Sequence, residues 1–365
     1  MKIGIDAKWF FEGPVSNQVV IRNLVAGMAA DNRGHELFFF LNRKHRHLPF
    51  PHEGKNVHCV YVWAGNNLLS NVFLLPILGK RLGLDGILYQ NFASFFGPKR
   101  WLYIHDVIFE EFPEFFSLPE RLYFSFMPFL ARFSSKIATI SRHEQERLRR
   151  LGIAGGKEIR HFHHGKEAAF KPKNEHNPAM LQKVKEKYQL PEHFLLYTGR
   201  INARKNIFRL LQAHESCHSD MPMVLVGSPE WKNEPGLADL LNRLKREGKI
   251  ILCGKVPWDD LPLIMCQARA FCFLSLAEGF GLPVLEAMAS GVPVLTSEHS
   301  AMEEICGDAA IVANPLDTGS IEAGMLRLIQ NPDLRSKLSE AGIKRAAQFD
   351  WQKTSNALLD WLGHG

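Results

Sequence analysis

The chain has no cysteine pair at C-x-x-C spacing; its six cysteines, at 59, 217, 253, 266, 272 and 306, stand apart. Several fall inside expected strands or helices. A free thiol there behaves as a small apolar group of a reducing compartment, so no disulfide framework is expected. The first residues, MKIGIDAKWF, lack the apolar core of a secretory signal. No apolar run is suited to crossing a bilayer, because Leu68–Leu78 and Leu122–Phe133 are too short or too interrupted. No internal repeat and no low-complexity tract is visible. These absences lead to the expectation of a globular protein that is cytoplasmic or rests on the inner face of a membrane.

What is present is enough chain for two domains: 365 residues exceed what one compact core usually holds. The positive charge is uneven. Residues 1–170 carry 22 Lys and Arg against 15 Asp and Glu, and the remainder 22 against 23. A basic first half suits an anionic partner such as a nucleotide, a lipid phosphate or an anionic membrane, or serves only solubility.

The first half alternates apolar runs with amphipathic segments. Strands are expected at Lys2–Asp6, Glu36–Leu41, Val57–Val62, Asp85–Tyr89, Arg100–Ile104, Lys136–Ile140 and Glu158–Phe162. Helices are expected at Asn17–Ala30, Asn67–Leu82, Pro119–Phe133 and Arg142–Leu151. The polar, aperiodic stretch 171–177 reads as a linker between a domain at 1–170 and a second at 178–349. The alternation then restarts at Phe194–Thr198, Met223–Gly227, Ile250–Cys253, Ala270–Ser275, Val292–Thr296 and Ala309–Val312. Such alternation specifies parallel sheets covered on both faces. In an open parallel sheet, ligands bind beyond the carboxyl ends of the strands.

The densest information lies in SLAEGFGLPVLEAMASGVP, Ser275 to Pro293. A buried strand precedes it, and Leu282–Ser290 reads as a helix with Gly291 just past its end. Glu278 then stands on the strand-to-helix turn and Glu286 about one turn into the helix. Gly279 and Gly281 let backbone amides approach a ligand, and the start of the helix favours negative charge. Phosphate or sugar oxygens would meet those amides while two carboxylates grip hydroxyls.

This segment resembles the signature of the retaining glycosyltransferases of the GT-B fold, a large family with many bacterial mannosyl- and glucosyltransferases. The resemblance implies an α/β protein of two Rossmann-like domains whose parallel sheets face each other across an interdomain cleft, with a last helix, 350–365, returning to the first domain. It implies a retaining hexosyltransferase that moves a hexose from a nucleotide-diphosphate sugar to a glycan or lipid-linked oligosaccharide in bacterial surface polysaccharide synthesis. The alternative is a non-catalytic GT-B subunit that only binds a nucleotide sugar. Nucleic acid is not an expected partner.

The resemblance also distributes roles. In YTGRINARKN, Gly199 permits a turn while Arg200 and Lys205 match the pair that grips the donor diphosphate; Arg204 matches no family role. Glu286 would take the ribose hydroxyls and Glu278 a hydroxyl of the transferred sugar. The amides of Phe280, Gly281 and Leu282 would reach the sugar or its phosphate. Gly227 and Ser228, with Val256 and Pro257, lie where the family lodges the base. YIHDVIFEEFPE resembles the HD…FPE segment of mannosyltransferase-like members, which tilts the donor toward GDP-mannose over a UDP-sugar. There His105 would approach the anomeric carbon, and Asp106 would orient His105 or bind the acceptor.

The family's first strand-to-helix loop is Gly-rich. FEGPVSNQVV keeps Gly13 and substitutes the rest, leaving amides at Ser16 and Asn17 toward an anion or acceptor. Ser141, His164–Gly165 and Glu304 match recurrent family positions that are structural or functional. No D-x-D occurs, so the metal signature of the other main glycosyltransferase fold is absent. No metal and no cofactor are expected, and the phosphates would be neutralised by Arg200, Lys205 and helix dipoles. Phe115, Phe116, Tyr123, Phe124, Phe126 and Phe129, beside Arg121, Arg132 and Lys136, read as core packing or as a bilayer contact.

Overall fold

The computed structural model describes residues 1–52, 54–228, 230 and 236–364. The chain forms two compact units: residues 1–165 with 350–365, and residues 166–349. The break therefore falls between Gly165 and Lys166, ahead of the linker expected at 171–177, where a short 3-10 turn (Lys173–Glu175) forms instead.

Unit one is built on seven parallel strands: β1 (Lys2–Asp6), β2 (Glu36–Asn42), β3 (Val57–Val62), β4 (Gly86–Gln90), β5 (Lys99–Tyr103), β6 (Lys136–Thr139) and β7 (Ile159–His161). Their order is β3-β2-β1-β4-β5-β6-β7. Every residue of β4 is buried, as a strand covered on both faces should be. The helix Val15–Ala30 packs against the final helix, Trp351–Gly363, at Gly27, where a Cβ would lie 2.4 Å from the Ser355 Oγ. Ser355 Oγ donates to Leu24 O at 3.3 Å and Gln352 Nε2 to Gly27 O at 2.8 Å.

Two expected helices of unit one are interrupted. The segment 67–81 contains a π-helical turn at Ser70–Leu74. The segment 118–131 divides at Ser125 into Leu118–Phe124 and Phe126–Ala131. Pro128 has no N–H to give to the Phe124 carbonyl four residues back, so one continuous helix cannot run through it.

Unit two has six parallel strands: β8 (Leu195–Thr198), β9 (Met223–Val226), β10 (Ile250–Gly254), β11 (Ala270–Phe273), β12 (Val294–Ser297) and β13 (Ile311–Ala313). Their order is β10-β9-β8-β11-β12-β13. In each sheet the order reverses once, between β1 and β4 in unit one and between β8 and β11 in unit two. Those switch points open a crevice at the carboxyl ends of the strands, where side chains from two loops converge. No helix among the described residues is long and apolar enough to cross a membrane.

Candidate functional site

At the switch point of unit two, the loop after β8 meets the loop after β11. Gly199 ends β8 with φ +140°, and Gly227 ends β9 with φ +151°. A Cβ on Gly227 would lie 1.7 Å from the Gly199 carbonyl oxygen, so only glycine lets these two turns touch. The chain then forms a short 3-10 turn, Ala203–Lys205, whose Lys205 N–H is capped by Asn202 Oδ1 at 3.2 Å. Asn206 takes a left-handed conformation, φ 58°, and the helix Ile207–Ser216 begins. This bend aims Arg204 and Lys205 into the sheet end.

Glu278 receives them. Its Oε1 accepts from Arg204 Nη1 at 3.0 Å, from Ser275 Oγ at 2.6 Å and from Lys205 Nζ. Arg204 also donates to the Ala277 carbonyl, and the Lys205 ammonium lies 4.7 Å from the centre of the Phe273 ring. All three charged side chains are nearly buried, with 12, 10 and 13% exposed for Arg204, Lys205 and Glu278. Burial alone would raise the Glu278 pKa, but Lys205 and Arg204 outweigh it and hold the carboxyl at about 2. Burial lowers Lys205 to about 8 against the pull of Glu278, which leaves both members of the pair ionised at neutral pH. Two cations thus share one carboxylate in surroundings largely closed to water, where each charge needs a partner.

Glu286 is the opposite case. Gly281 caps its helix, Leu282–Ala289, with φ 98°, and Gly291 follows the helix with φ 71°. A Cβ on Gly281 would lie 2.6 Å from Met302 Cγ. Glu286 is 6% exposed, and no cation among the described residues pairs with it. Burial first, and Glu167 second, push its carboxyl up to about 8, so it is mostly protonated at pH 7. Two glutamates eight residues apart therefore hold different protonation states.

Arg200 does not join this cluster. Its guanidinium is 56% exposed and pairs with Glu230 at 3.4 Å. The residue inside is Arg204, to which the sequence reading gave no role; an arginine beside a lysine on one turn offers no periodicity that tells which of the two points inward. Ser275 was likewise missed. Val256 lies half-buried in the loop after β10, and Phe280 is buried.

The switch point of unit one carries a second polar group. His105, 5% exposed, follows β5. Its Nε2 lies 2.9 Å from Gln90 Oε1, and its backbone N–H donates to Asn91 Oδ1 at 3.2 Å. Gln90 stands at the end of β4, and its backbone N–H is 3.4 Å from Asp6 Oδ2. Asp6 pairs with Lys8 at 2.6 Å, and the same ammonium donates to Asn71 Oδ1 on the π-helical turn. Asn71 returns hydrogen bonds to the carbonyls of Gln90 and Phe92. Burial lowers His105 to about 4, against the pull of Asp6, so the imidazole is neutral at physiological pH. Lys8, Asp6, Gln90 and Asn91, at or just past strand ends, and Asn71, on the π-helical turn, escaped the sequence reading, since single polar residues carry no spacing signal.

Of the acceptor-side residues, Gly13 (φ +151°) approaches the Trp9 ring, whose centroid lies 5.9 Å from that of His105. The helix starts at Val15, which puts Ser16 and Asn17 within its first turn, where backbone N–H groups lack intrahelical acceptors. Asp106 is half-buried and accepts from Ile108 N at 3.4 Å. Ser141 caps the helix Arg142–Arg150 through Glu144 N, a structural task. The sequence also spells H-E-x-x-H at His214–His218, a spacing that places two zinc ligands on one face of a continuous helix. The helix ends at Ser216, His218 has φ 46°, His214 Nε2 bonds the Met221 carbonyl, and Glu215 pairs with Arg243. The string does not form that face.

Sheet order and switch points define the class: two Rossmann-like domains, the GT-B fold. Residues 181–345, within unit two, match the family of glycosyl transferases group 1. Over 189 residues the chain is 38% identical to O-antigen chain mannosyltransferase B of Escherichia coli, covering 50% of this chain and 49% of that protein. The match thus spans about half of that relative. Two solved structures share the fold over the full length. Sucrose-phosphate synthase from Thermosynechococcus elongatus has a TM-score of 0.76, 17% identity and coverage of 99% of this chain and 98% of that one. Anabaena Alr3699/HepE, solved in complex with UDP-glucose, has a TM-score of 0.73, 18% identity and coverage of 100% and 99%.

Proposed function

We propose that the protein is a retaining hexosyltransferase. It takes a hexose from a nucleotide-diphosphate sugar, GDP-mannose first and a UDP-sugar next, and gives it to a glycan or lipid-linked oligosaccharide of a bacterial surface polysaccharide. The observation that carries this reading is the convergence of Arg204, Lys205 and Glu278 at the carboxyl-end switch point of the unit that matches glycosyl transferases group 1, where two basic side chains stand beside glycine turns that admit a diphosphate. The O-antigen mannosyltransferase relative supports mannose.

In this reading Lys205 and Arg204 hold the diphosphate from the sheet side, and Arg200 swings from Glu230 to meet it from solvent. Charge-assisted bonds of this kind contribute about 1.5–3 kcal/mol each. Gly199 and Gly227 let the phosphates lie against backbone, and the amides of Gly281 and Leu282 add donors at the helix start. Glu286 takes the ribose hydroxyls, and Val256 borders the base. The diphosphate satisfies the cations that hold Glu278, which then reaches a hydroxyl of the sugar. His105, neutral, approaches the anomeric carbon, where its electron-rich face stabilises an oxocarbenium-like transition state. The leaving phosphate oxygen takes the proton of the acceptor hydroxyl, so the protein supplies orientation and electrostatics rather than a carboxylate nucleophile. Gly13, Ser16, Asn17 and Asp106 serve the acceptor. Phosphate charge is met by side chains and helix amides, with no metal or cofactor.

Incubation with GDP-mannose, UDP-glucose and UDP-N-acetylglucosamine, with a mannose-terminated acceptor, tests this. The expected result is release of GDP from GDP-mannose alone and a product with the donor's anomeric configuration by NMR. Stabilisation by GDP without release from any donor would overturn transfer in favour of a binding subunit.

A further inference from the structure

Two segments of unit one turn apolar side chains toward solvent. Leu118, Leu122, Phe126, Phe129 and Phe133 are 66, 61, 50, 54 and 37% exposed. Their spacing of four, four, three and four is one face of a helical path. The opposite side of the same path gives Met127, Leu130 and Ala131 to the core. On the segment 67–81, Leu69, Phe73 and Ile77 repeat the pattern at 47, 47 and 42%. Phe95, 48% exposed, joins the two stripes: its ring centroid lies 6.0 Å from that of Phe73 and 6.4 Å from that of Phe133, which in turn meets Phe129 at 5.6 Å.

The ridge has a basic fringe. Lys80 Nζ lies 5.8 Å from the centre of the Phe96 ring, and Phe96 packs on Phe95. Arg100 Nε donates to the Phe133 carbonyl at 2.7 Å, and Lys157 reaches the Ala131 carbonyl at 3.4 Å. Arg121 and Arg132 are exposed along the stripe itself. The acid within it, Glu120, is folded back onto Ser117, whose N–H and Oγ donate to it at 2.8 and 2.7 Å. The aromatic residues named from sequence divide differently. Phe115, Phe116, Tyr123 and Phe124 are half-buried, and the last three pack against the core. Lys136 donates to the carbonyls of Trp361 and His364, on the final helix and just beyond it.

We propose that this ridge seats unit one in the headgroup–acyl boundary of an anionic bilayer. Phenylalanine and leucine enter the boundary, and lysine and arginine meet lipid phosphates at its rim. Each basic group near an anionic surface contributes about 1 kcal/mol and is screened by salt. The surface stands by itself; only its link to a lipid-linked acceptor rests on the proposed reaction.

The test is sedimentation of the full chain with vesicles of phosphatidylcholine, with and without phosphatidylglycerol. The chain is expected to pellet with the anionic vesicles, to bind neutral ones about tenfold less, and to release as salt rises. The combined variant Leu122→Ser, Phe126→Ser, Phe129→Ser, altered only at exposed positions, should lose at least about tenfold in binding. It should keep its thermal midpoint and its nucleotide release on a water-soluble acceptor. Three results would overturn the proposal: no pelleting with anionic vesicles, equal binding by the triple variant, or self-association in analytical ultracentrifugation that the triple variant abolishes. Failure of nucleotide release in the unaltered chain would sink the proposed reaction and leave the vesicle result standing.

Discussion

Each switch point buries an ion pair, but at that of unit two the candidate Glu278 is a member of the pair, whereas at that of unit one the candidate His105 stands uncharged beside the Asp6–Lys8 pair, linked to it through Gln90. Glu278 stays ionised because two cations reach it, whereas His105 stays neutral because burial outweighs the pull of Asp6. The sheets are alike in reversing once, and both groups sit at carboxyl ends beside the reversal. The same topology thus supplies two kinds of electrostatic environment. One is suited to gripping a polyanion. The other is suited to standing beside a centre that becomes positive, where an imidazolium would repel.

The heaviest blow to this contrast is Lys205→Ala. Breaking one arm of a buried pair costs about 3–5 kcal/mol where the remaining charge is left alone; Arg204 still holds Glu278, so the loss in folding stability should fall below that range. On the donor side one charge-assisted grip on the diphosphate is lost, about 3 kcal/mol at most, so a loss of kcat/KM of about 150-fold is expected in a nucleotide-release assay, with GDP raising the thermal midpoint less than in the parent. A variant within threefold of the parent would remove the cationic cluster from the donor site.

His105→Ala should cost less, about 100-fold in kcat with donor KM within threefold, as for loss of one preorganised electrostatic group. The parent rate should not fall between pH 8 and pH 5 on account of this residue, since its pKa is about 4. The stability effect has a definite sign. The folded pKa lies below the ordinary 6.5, so protonation favours the unfolded chain. Stability from His105 is complete above pH 6.5 and drains away as pH falls toward 4. Thermal unfolding of parent and His105→Ala from pH 4 to pH 7 reads this directly, and parallel curves would contradict it.

A subtler contrast lies within unit two, between Glu278 and Glu286. Glu286 is raised to about 8, so its protonated form favours the native state. Its stabilisation is complete below the ordinary 4.5 and is lost as pH rises through 8. Ribose hydroxyls would donate to the carboxylate and lower that pKa, so nucleotide binding near pH 7 should release about half to one proton. Calorimetric titration in buffers of differing ionisation enthalpy measures it, and Glu286→Gln should abolish it. Release that persists in that variant would shift the effect elsewhere.

The sequence made this second contrast partly legible. Gly281, Pro283 and Gly291 bound a short apolar helix, and the structure places it at Leu282–Ala289. The strands were equally open to reading, because a parallel strand buried on both faces is a run of apolar residues. What pattern could not show was direction. Nothing in LPERLYFSFMPFLARF tells which aromatics face the core. Nothing in NARKN tells that Arg204 turns inward. The Lys8–Asp6–Asn71–Gln90 network depends on a π-helical turn and on the ends of β1 and β4, which the chain brings together only after folding.

The smallest expected effect is the most discriminating for the cation pair. Arg200 precedes the short turn Ala203–Lys205 and Arg204 lies within it, yet the first is half in water beside Glu230 and the second is bonded to Ala277 and Glu278. An exposed ion pair contributes about 0.2–1 kcal/mol, so Arg200→Ala should lower the thermal midpoint by no more than about 2 °C. Arg204→Ala removes a buried partner of Glu278 and should lower it by several degrees. If Arg200 serves the donor only after leaving Glu230, then Arg200→Ala weakens GDP-mannose binding about tenfold while leaving stability almost unchanged, and Glu230→Gln tightens binding slightly. Equal losses of stability in the two arginine variants would erase the distinction between the buried cation and the solvent-facing one.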